Sequence, residues 1–298
     1  MNDRNFRQLL EAPWAKGHFV CIGLDSEFDK IPDSAHRSGN ESDISVANTI
    51  VAFNRAIVEA TNDLVCAYKP NVAFYEAHGS EGFTALNRTI VGIHAMAPDI
   101  PVILDAKRAD IGNTNNGYVG MAFDYFRADA ITVHPYLGAE ALQPLLARME
   151  KGIIVLCRTS NPGAGEFQDR IVPVTDDEAD RWGLDRGTTM PMYQLVAYRV
   201  SREWNKNGNC ALVVGATYPE ELGEVRRIVG DMPILIPGVG AQGGDVEKTV
   251  KAGLNSRKEG IIVNSSRGII FASSGPEFAA AARRETIDLN EEIAKHIG

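Results

Sequence analysis

The chain lacks every cysteine arrangement that builds a redox or metal site. Its 298 residues hold four cysteines, Cys21, Cys66, Cys157 and Cys210, far apart and with no Cys-x-x-Cys among them. Each lies in or at the start of an apolar run, which reads as a buried, reduced thiol. No apolar stretch approaches the roughly 20 residues that span a bilayer. The first residues, MNDRNFRQLLEAPWAKG, have neither the apolar core nor the small-residue cleavage site of a secretory signal, so a cytoplasmic location is expected. Positive charge is also short: 30 Lys and Arg face 39 Asp and Glu, a formal net charge of −9. That balance offers no footprint for nucleic acid and is repelled by an anionic membrane surface. An acidic chain that binds an anion has to gather its cations locally. No Pro/Ser-rich linker, low-complexity tract or repeat divides the sequence, and 44% hydrophobic residues suffice for a sizeable core.

What is present is an alternation. Short β-branched apolar runs begin near Phe19, Val65, Pro101, Ala130, Gly152, Cys210, Pro233 and Gly260. Their unbroken apolar character suits strands buried on both faces, as in a parallel sheet. Helix-patterned stretches such as SVANTIVAFNRAIVEATND and MYQLVAYRVSREWNKNG lie between them. Eight such units predict one α/β domain over residues 1–298, a single (β/α)8 TIM barrel, in preference to an open doubly wound sheet. Two polar, Gly- and Pro-containing stretches, near 29–43 and 161–190, are longer than barrel connections need. Both follow strand C-termini, the end of a barrel that carries the active site, and are expected to be rim insertions.

Charge collects at the ends of the first three strands. Side chains two apart share a strand face, which groups Cys21, Gly23 and Asp25, then Val65, Ala67 and Lys69, then Ile103, Asp105 and Lys107. Each series starts apolar or small and finishes charged. Buried charges need a partner or a use. Two Asp and two Lys on neighbouring strands can neutralise one another at the barrel mouth, either as a structural network or as a site. Further on, Gly238, Gly240, Gly243 and Gly244 let the backbone approach a ligand, Gln242 adds a donor, and Arg267 offers a planar fork. Barrels commonly hold phosphate with the loops after strands seven and eight.

The run Asp105-x-Lys107-x-x-Asp110-Ile111, within DAKRADIGNT, resembles the signature of the orotidine 5′-phosphate decarboxylases, of their longer bacterial type. Asp25 in GLDS and Lys69-Pro70-Asn71 resemble that family's strand-one aspartate and strand-two lysine. Residues 159–164 (TSNPGA) resemble its pyrimidine-facing segment, residues 237–245 (PGVGAQGGD) its phosphate loop, and Arg267 its phosphate arginine. The matches keep their order from Asp25 to Arg267. Asn264-Ser265-Ser266-Arg267 is more polar than the Gly-Arg form of short family members, and the stretch 161–190 has no counterpart in them.

The resemblance implies conversion of orotidine 5′-monophosphate to uridine 5′-monophosphate and CO2, with no cofactor and no metal. It makes Lys107 the proton donor and places Asp105 beside the departing carboxylate. Lys69 keeps Asp105 ionised, and Asp110 holds Lys107 protonated. Substrate binding falls to Asp25, Thr114, Ser160, Gln242, Gly243, Gly244 and Arg267. In the family the residues matching Asp110 and Thr114 reach into a neighbouring subunit's site, which implies a homodimer with shared sites. The 161–190 insertion is expected to cover the base end.

Three other readings compete. A Mg2+-dependent phosphosugar decarboxylase or hexulose-phosphate synthase shares Asp-x-Lys-x-x-Asp and would need carboxylates such as Asp105 for its metal. An aldolase would use Lys107 or Lys69 as a Schiff-base amine, but flanking carboxylates keep a lysine protonated and poorly nucleophilic. A phosphate-binding module would hold a nucleotide without turning it over. Asp129 and Thr132 read as structural and His134 as a barrel-mouth histidine. Arg158 either faces the site or pairs with an acid.

Overall fold

A computed structural model describes residues 4–37, 45–239 and 244–297. The strands among them are β1 (Val20–Leu24), β2 (Ala67–Pro70), β3 (Ile103–Arg108), β4 (Ala130–Val133), β5 (Gly152–Arg158), β6 (Ile171–Pro173), β7 (Thr189–Pro191), β8 (Cys210–Val214), β9 (Ile234–Pro237) and β10 (Ile261–Ser265). All the expected apolar runs except those that make β6 and β7 enter one parallel sheet of order β2-β1-β10-β9-β8-β5-β4-β3. Bridges from Tyr68 to Val102 and from Asn71 to Asp105 join its two outer strands and close the ring. The fold is a (β/α)8 TIM barrel. Its strands are apolar throughout because one face fills the barrel and the other meets a layer of helices; every residue of β1 is buried.

The helices carry one apolar stripe each. Ser45 caps Val46–Thr61 by accepting from the Asn48 N–H, and Ile50, Phe53 and Ile57 turn inward. Phe53 stacks on Phe271 and Phe278, with ring centroids 5.5 and 5.2 Å apart, which ties the C-terminal helix Phe278–Ala294 to the barrel wall. No helix among the described residues is long and apolar enough to cross a membrane. All four cysteines are buried and free.

The end of the barrel opposite the strand C-termini is fastened by one carboxylate. Asp129, fully buried, accepts from Arg4 Nε and Nη2 at 2.8 Å each and from the Val102 N–H at 2.8 Å; His94 Nε2 lies 3.4 Å away. Burial alone would raise its pKa, but the hydrogen bonds from Arg4 and His94 outweigh that and hold it down at about 2. As expected, Asp129 is structural: it tethers the N-terminal segment to the start of β3.

The two rim stretches differ in kind. After β1 the chain makes two short 3-10 turns, Phe28–Lys30 and Asp33–Ala35, and residues 38–44 lie outside the described part. After β5 the insertion is a folded unit, in which β6 and β7 pair antiparallel and flank the helix Asp176–Trp182. A capping box starts that helix: the Thr175 side chain accepts from the Glu178 N–H and the Glu178 carboxylate from the Thr175 N–H. Val174, Ala179, Trp182 and Met190 form a small core of their own. Trp182 stacks on Tyr198, at 5.3 Å, where the insertion meets the barrel helix Met192–Arg199.

Because the Asp129 carboxyl is depressed from its ordinary 3.8, its stabilisation is present above that value and is lost as pH falls from about 4 to about 2. Asp129→Asn is therefore expected to cost about 2 kcal/mol at pH 7. In urea titrations the gap to the unsubstituted protein closes as pH approaches 2; a gap independent of pH would show that the charge is not its source.

Candidate active site

Every barrel strand ends on one cavity of about 430 Å3 at the C-terminal mouth. Its wall includes Asp25 after β1, Lys69 on β2, Asp105 and Lys107 on β3, Thr132 on β4 and Leu156 on β5. Val213 from β8, Leu235 and Pro237 from β9, and Asn264 and Ser265 from β10 complete the ring. The alternation that grouped Asp25, Lys69, Asp105 and Lys107 thus brings all four to one pocket. Leu156, Val213 and Leu235 form an apolar floor that keeps the local dielectric low.

Asp105 is the centre of the charged array. Its Oδ2 accepts from Lys69 Nζ at 2.9 Å, and its Oδ1 accepts from Lys107 Nζ at 2.6 Å and from Thr132 Oγ1 at 2.9 Å. Lys69 and Asp105 are buried, whereas the Lys107 side chain is 50% exposed. Burial by itself would raise the Asp105 pKa, but the charges of Lys69 and Lys107 outweigh it and hold the carboxyl well below its usual range. Burial would likewise lower the Lys69 pKa, and the Asp105 charge, then that of Asp25, hold it raised instead. Asp105 is ionised and Lys69 protonated at neutral pH. An isolated buried pair would return little net stability for its desolvation, so the array is explained by what it does rather than by what it stabilises.

Lys107 is aimed by a backbone distortion. Its φ is +48°, a left-handed conformation that costs a non-glycine residue about 1–3 kcal/mol. Beside it the β3–β4 register shifts, from Leu104 opposite Ile131 to Arg108 opposite Val133. In the bulge the Lys107 N–H donates to Thr132 Oγ1 at 2.9 Å instead of to a backbone carbonyl. Thr132 thus touches both the backbone of Lys107 and the carboxylate of Asp105. The structural role read for it from sequence is too narrow, because a threonine's cross-strand partners become visible only once the register is known.

Asp25 supplies an unsatisfied acceptor. Its Oδ1 is buried without a hydrogen-bond partner among the described residues, as is Oδ1 of Asn264 across the cavity wall. Such atoms are costly unless a ligand completes them. Asp25 is braced from behind: Tyr75 Oη donates to the Leu24 carbonyl at 3.1 Å, and Ser26 Oγ donates to Asn54 Oδ1 at 2.6 Å. Gly23 is required one strand position earlier, because a Cβ there would run into Ser266 Oγ.

The remaining expected residues divide. Ser160 and Arg267 line the cavity, with Asn71, Asn161 and Gln168, which sequence reasoning did not single out. Arg267 has no ionic partner among the described residues, unlike Lys69 and Lys107. Gly238 lines the cavity at φ +93°, and the Gly244 N–H donates to its carbonyl at 3.2 Å, closing the loop between them. Gln242 and Gly243, with Gly240, lie outside the described residues. Asp110 and Thr114 do not line the cavity of their own chain. The Asp110 carboxylate accepts from the Ile111 N–H at 2.6 Å, and Thr114 is exposed on the helix Gly112–Val119. Arg158 pairs with Asp169 rather than facing the pocket, and His134 stays outside the cavity wall. No group of three His, Cys, Asp or Glu among the described residues is placed to hold a metal ion.

Comparison with known proteins gives the same picture. The family model for "Orotidine 5'-phosphate decarboxylase / HUMPS family" matches residues 20–283. An orotidine 5′-phosphate decarboxylase from Cellvibrio japonicus (strain Ueda107) is 44% identical over 290 residues, covering 97% of this chain and 98% of that protein. The OMP decarboxylase structure from Leishmania donovani superposes with a TM-score of 0.77 at 34% identity, covering 97% of this chain and 99% of that one. UMP synthase from the same organism gives a TM-score of 0.80 at 35% identity over 98% of this chain, which spans 56% of that longer protein. With a match over almost the whole barrel and with relatives well above 30% identity at full length, this chain belongs to the orotidine 5′-phosphate decarboxylase / HUMPS family.

Proposed function

We propose that the chain decarboxylates orotidine 5′-monophosphate to uridine 5′-monophosphate and CO2, as one catalytic barrel with two rim insertions, working in the cytoplasm. The observation that carries this reading is the Lys69–Asp105–Lys107 chain inside a cavity whose opposite rim holds an unpaired arginine, Arg267. Loss of CO2 from orotate leaves an sp2 carbanion that no neighbouring carbonyl delocalises, so fixed charge has to stabilise it. Lys107 faces the carbon that becomes negative and delivers its proton there. Asp105 lies against the carboxylate, and its repulsion is relieved as CO2 leaves. Lys69 keeps Asp105 ionised and reaches the ribose, whose hydroxyls complete the Asp25 acceptor. Arg267, with Gln242, Gly243 and Gly244, takes the phosphate, and Ser160 meets the pyrimidine edge.

A magnesium-dependent lyase would need Asp105 as a ligand. Both oxygens of that carboxylate already accept from ammonium groups, and Mg2+ would have to displace them.

The active unit is a homodimer in which Asp110 and Thr114 enter the partner's cavity, and Asp110 holds Lys107 protonated. Support comes from Asp110 standing outside its own pocket, next to Ile111, which is 63% exposed. The helix that follows packs on Gly138–Leu146 through Asn115, and Tyr136 and Leu137 lie exposed just ahead of that second helix. An apolar surface so placed suits a subunit interface.

With orotidine 5′-monophosphate in EDTA, the substrate's ultraviolet absorbance is expected to fall at an undiminished rate, and Lys107→Ala to lose at least about 1,000-fold in kcat. No turnover by the unsubstituted protein, or dependence on added Mg2+, would reject the assignment. The sign of the Asp105 shift gives a second outcome: the depressed carboxyl is ionised throughout pH 5–8, so it imposes no acid limb on kcat/KM. Lys69→Gln removes the larger opposing charge and lets burial raise Asp105, so the residual activity should fall below about pH 6; a flat profile would contradict that role. Mixing Lys107→Ala with Asp110→Ala subunits should restore activity in heterodimers, since each retains one intact site. Confirmed heterodimers without activity would place Asp110 in cis.

A further inference from the structure

The insertion after β5 is not draped over the cavity but bolted to its wall, by residues that none of the roles above uses. Arg158, the last residue of β5, is almost wholly buried at 2% exposure. Its Nη1 donates to the Thr159 carbonyl at 2.9 Å, its Nη2 to Asp169 Oδ2 at 3.1 Å, and its Nε lies 2.9 Å from Asp169 Oδ1. The guanidinium also lies flat over Tyr218, 3.9 Å from the ring centroid, beyond the end of β8. One position before Asp169, Gln168 lines the cavity and closes a reciprocal pair: Oε1 accepts from the Thr159 N–H at 2.8 Å and Nε2 donates to Thr159 Oγ1 at 2.9 Å. From the third side Gly215 admits the segment, since a Cβ there would sit 2.7 Å from Ser160 Cβ. Three independent contacts therefore fix Thr159 and Ser160, two of them supplied by the insertion.

The position of this clasp around the ring says what it serves. The unpaired cation Arg267 stands by β10, and the charged array occupies β2, β3 and β4. The β5 sector between β4 and β8 presents only neutral groups, from Thr159, Ser160, Asn161 and Gln168. Neutral donors and acceptors held rigidly suit the uncharged imide edge of a pyrimidine, which alternates carbonyl, N–H and carbonyl. We propose that Arg158, Gln168 and Asp169 are positioning residues that lock the Thr159–Ser160 segment in the register that reads the pyrimidine. This rests on the assignment of the substrate above, and makes the insertion a specificity element. Arg158 suits this place better than lysine would, because a planar fork can pair with Asp169, bond the Thr159 carbonyl and stack on Tyr218 at once.

The test separates base recognition from general integrity by using two ligands. Binding of uridine 5′-monophosphate, which has the base, and of ribose 5-phosphate, which lacks it, is measured by calorimetry for the unsubstituted protein and for Gln168→Ala, Asp169→Asn and Arg158→Lys. Each variant is expected to weaken the nucleotide about tenfold and to raise KM for orotidine 5′-monophosphate by a similar factor, with ribose 5-phosphate affinity unchanged. Gln168 is half-buried at the cavity edge, so Gln168→Ala keeps the fold and decides the matter even if loss of the buried Arg158–Asp169 pair unfolds the other two. Equal weakening of both ligands, or no change in either, would overturn the clasp while an unsubstituted protein that turns over the substrate keeps the functional assignment. An unsubstituted protein without turnover would strike the assignment itself.

Discussion

The site depends on one carboxylate held between two ammonium groups in a cavity with an apolar floor. Asp105 pays for its burial through Lys69 and Lys107, and each of those lysines is fixed in turn by Asp105. Taking away one member would leave a buried charge uncompensated, a loss far larger than the pair's net worth to stability. Opposed charges at contact distance also leave each other little freedom to rotate. The field that a developing carbanion meets is thus present before substrate arrives, and little reorganisation is left for the reaction itself.

Several features of the barrel are consequences of assembling that field. Closure of the ring between β2 and β3 runs through the bridge from Asn71 to Asp105, so the sheet's seam lies at the charged array. The bulge at Lys107 places two cationic contacts on one carboxylate from a single short strand, and Thr132 takes up the N–H that the bulge frees. The unpartnered acceptor of Asp25 and the unpaired Arg267 lie apart from the array, so the cavity holds committed charges at one side and open ones at the others. Tightness concentrates where the chemistry is placed, and openness where a ligand has to complete the wall.

Much of this was legible in the sequence, for identifiable physical reasons. Strands buried on both faces are apolar without interruption, so all eight barrel strands begin within two residues of the expected positions. A strand repeats every second residue, so Asp105 and Lys107 had to share a face, and the same rule brought Asp25 and Lys69 to it. What stayed hidden depended on register or on distance along the chain. Thr132 meets Asp105 only because the β3–β4 pairing slips, and Gln168 reaches the cavity only because the insertion folds back on Thr159. The choice left open for Arg158 is decided by Asp169, eleven residues away, across a turn that no local pattern fixes. The capping box at Thr175 and Glu178 was there to be read and marks the stretch 161–190 as folded structure.

The central claim is that the array stabilises negative charge on the pyrimidine carbon facing Lys107. By microscopic reversibility the same field must assist removal of that carbon's hydrogen from the product. Uridine 5′-monophosphate incubated with the protein in D2O and followed by proton NMR therefore tests it most directly. The account predicts protein-dependent loss of the signal at that carbon, abolished in Lys107→Ala while the nucleotide still binds. No exchange by a protein that decarboxylates the substrate, or exchange undiminished in Lys107→Ala, would contradict it.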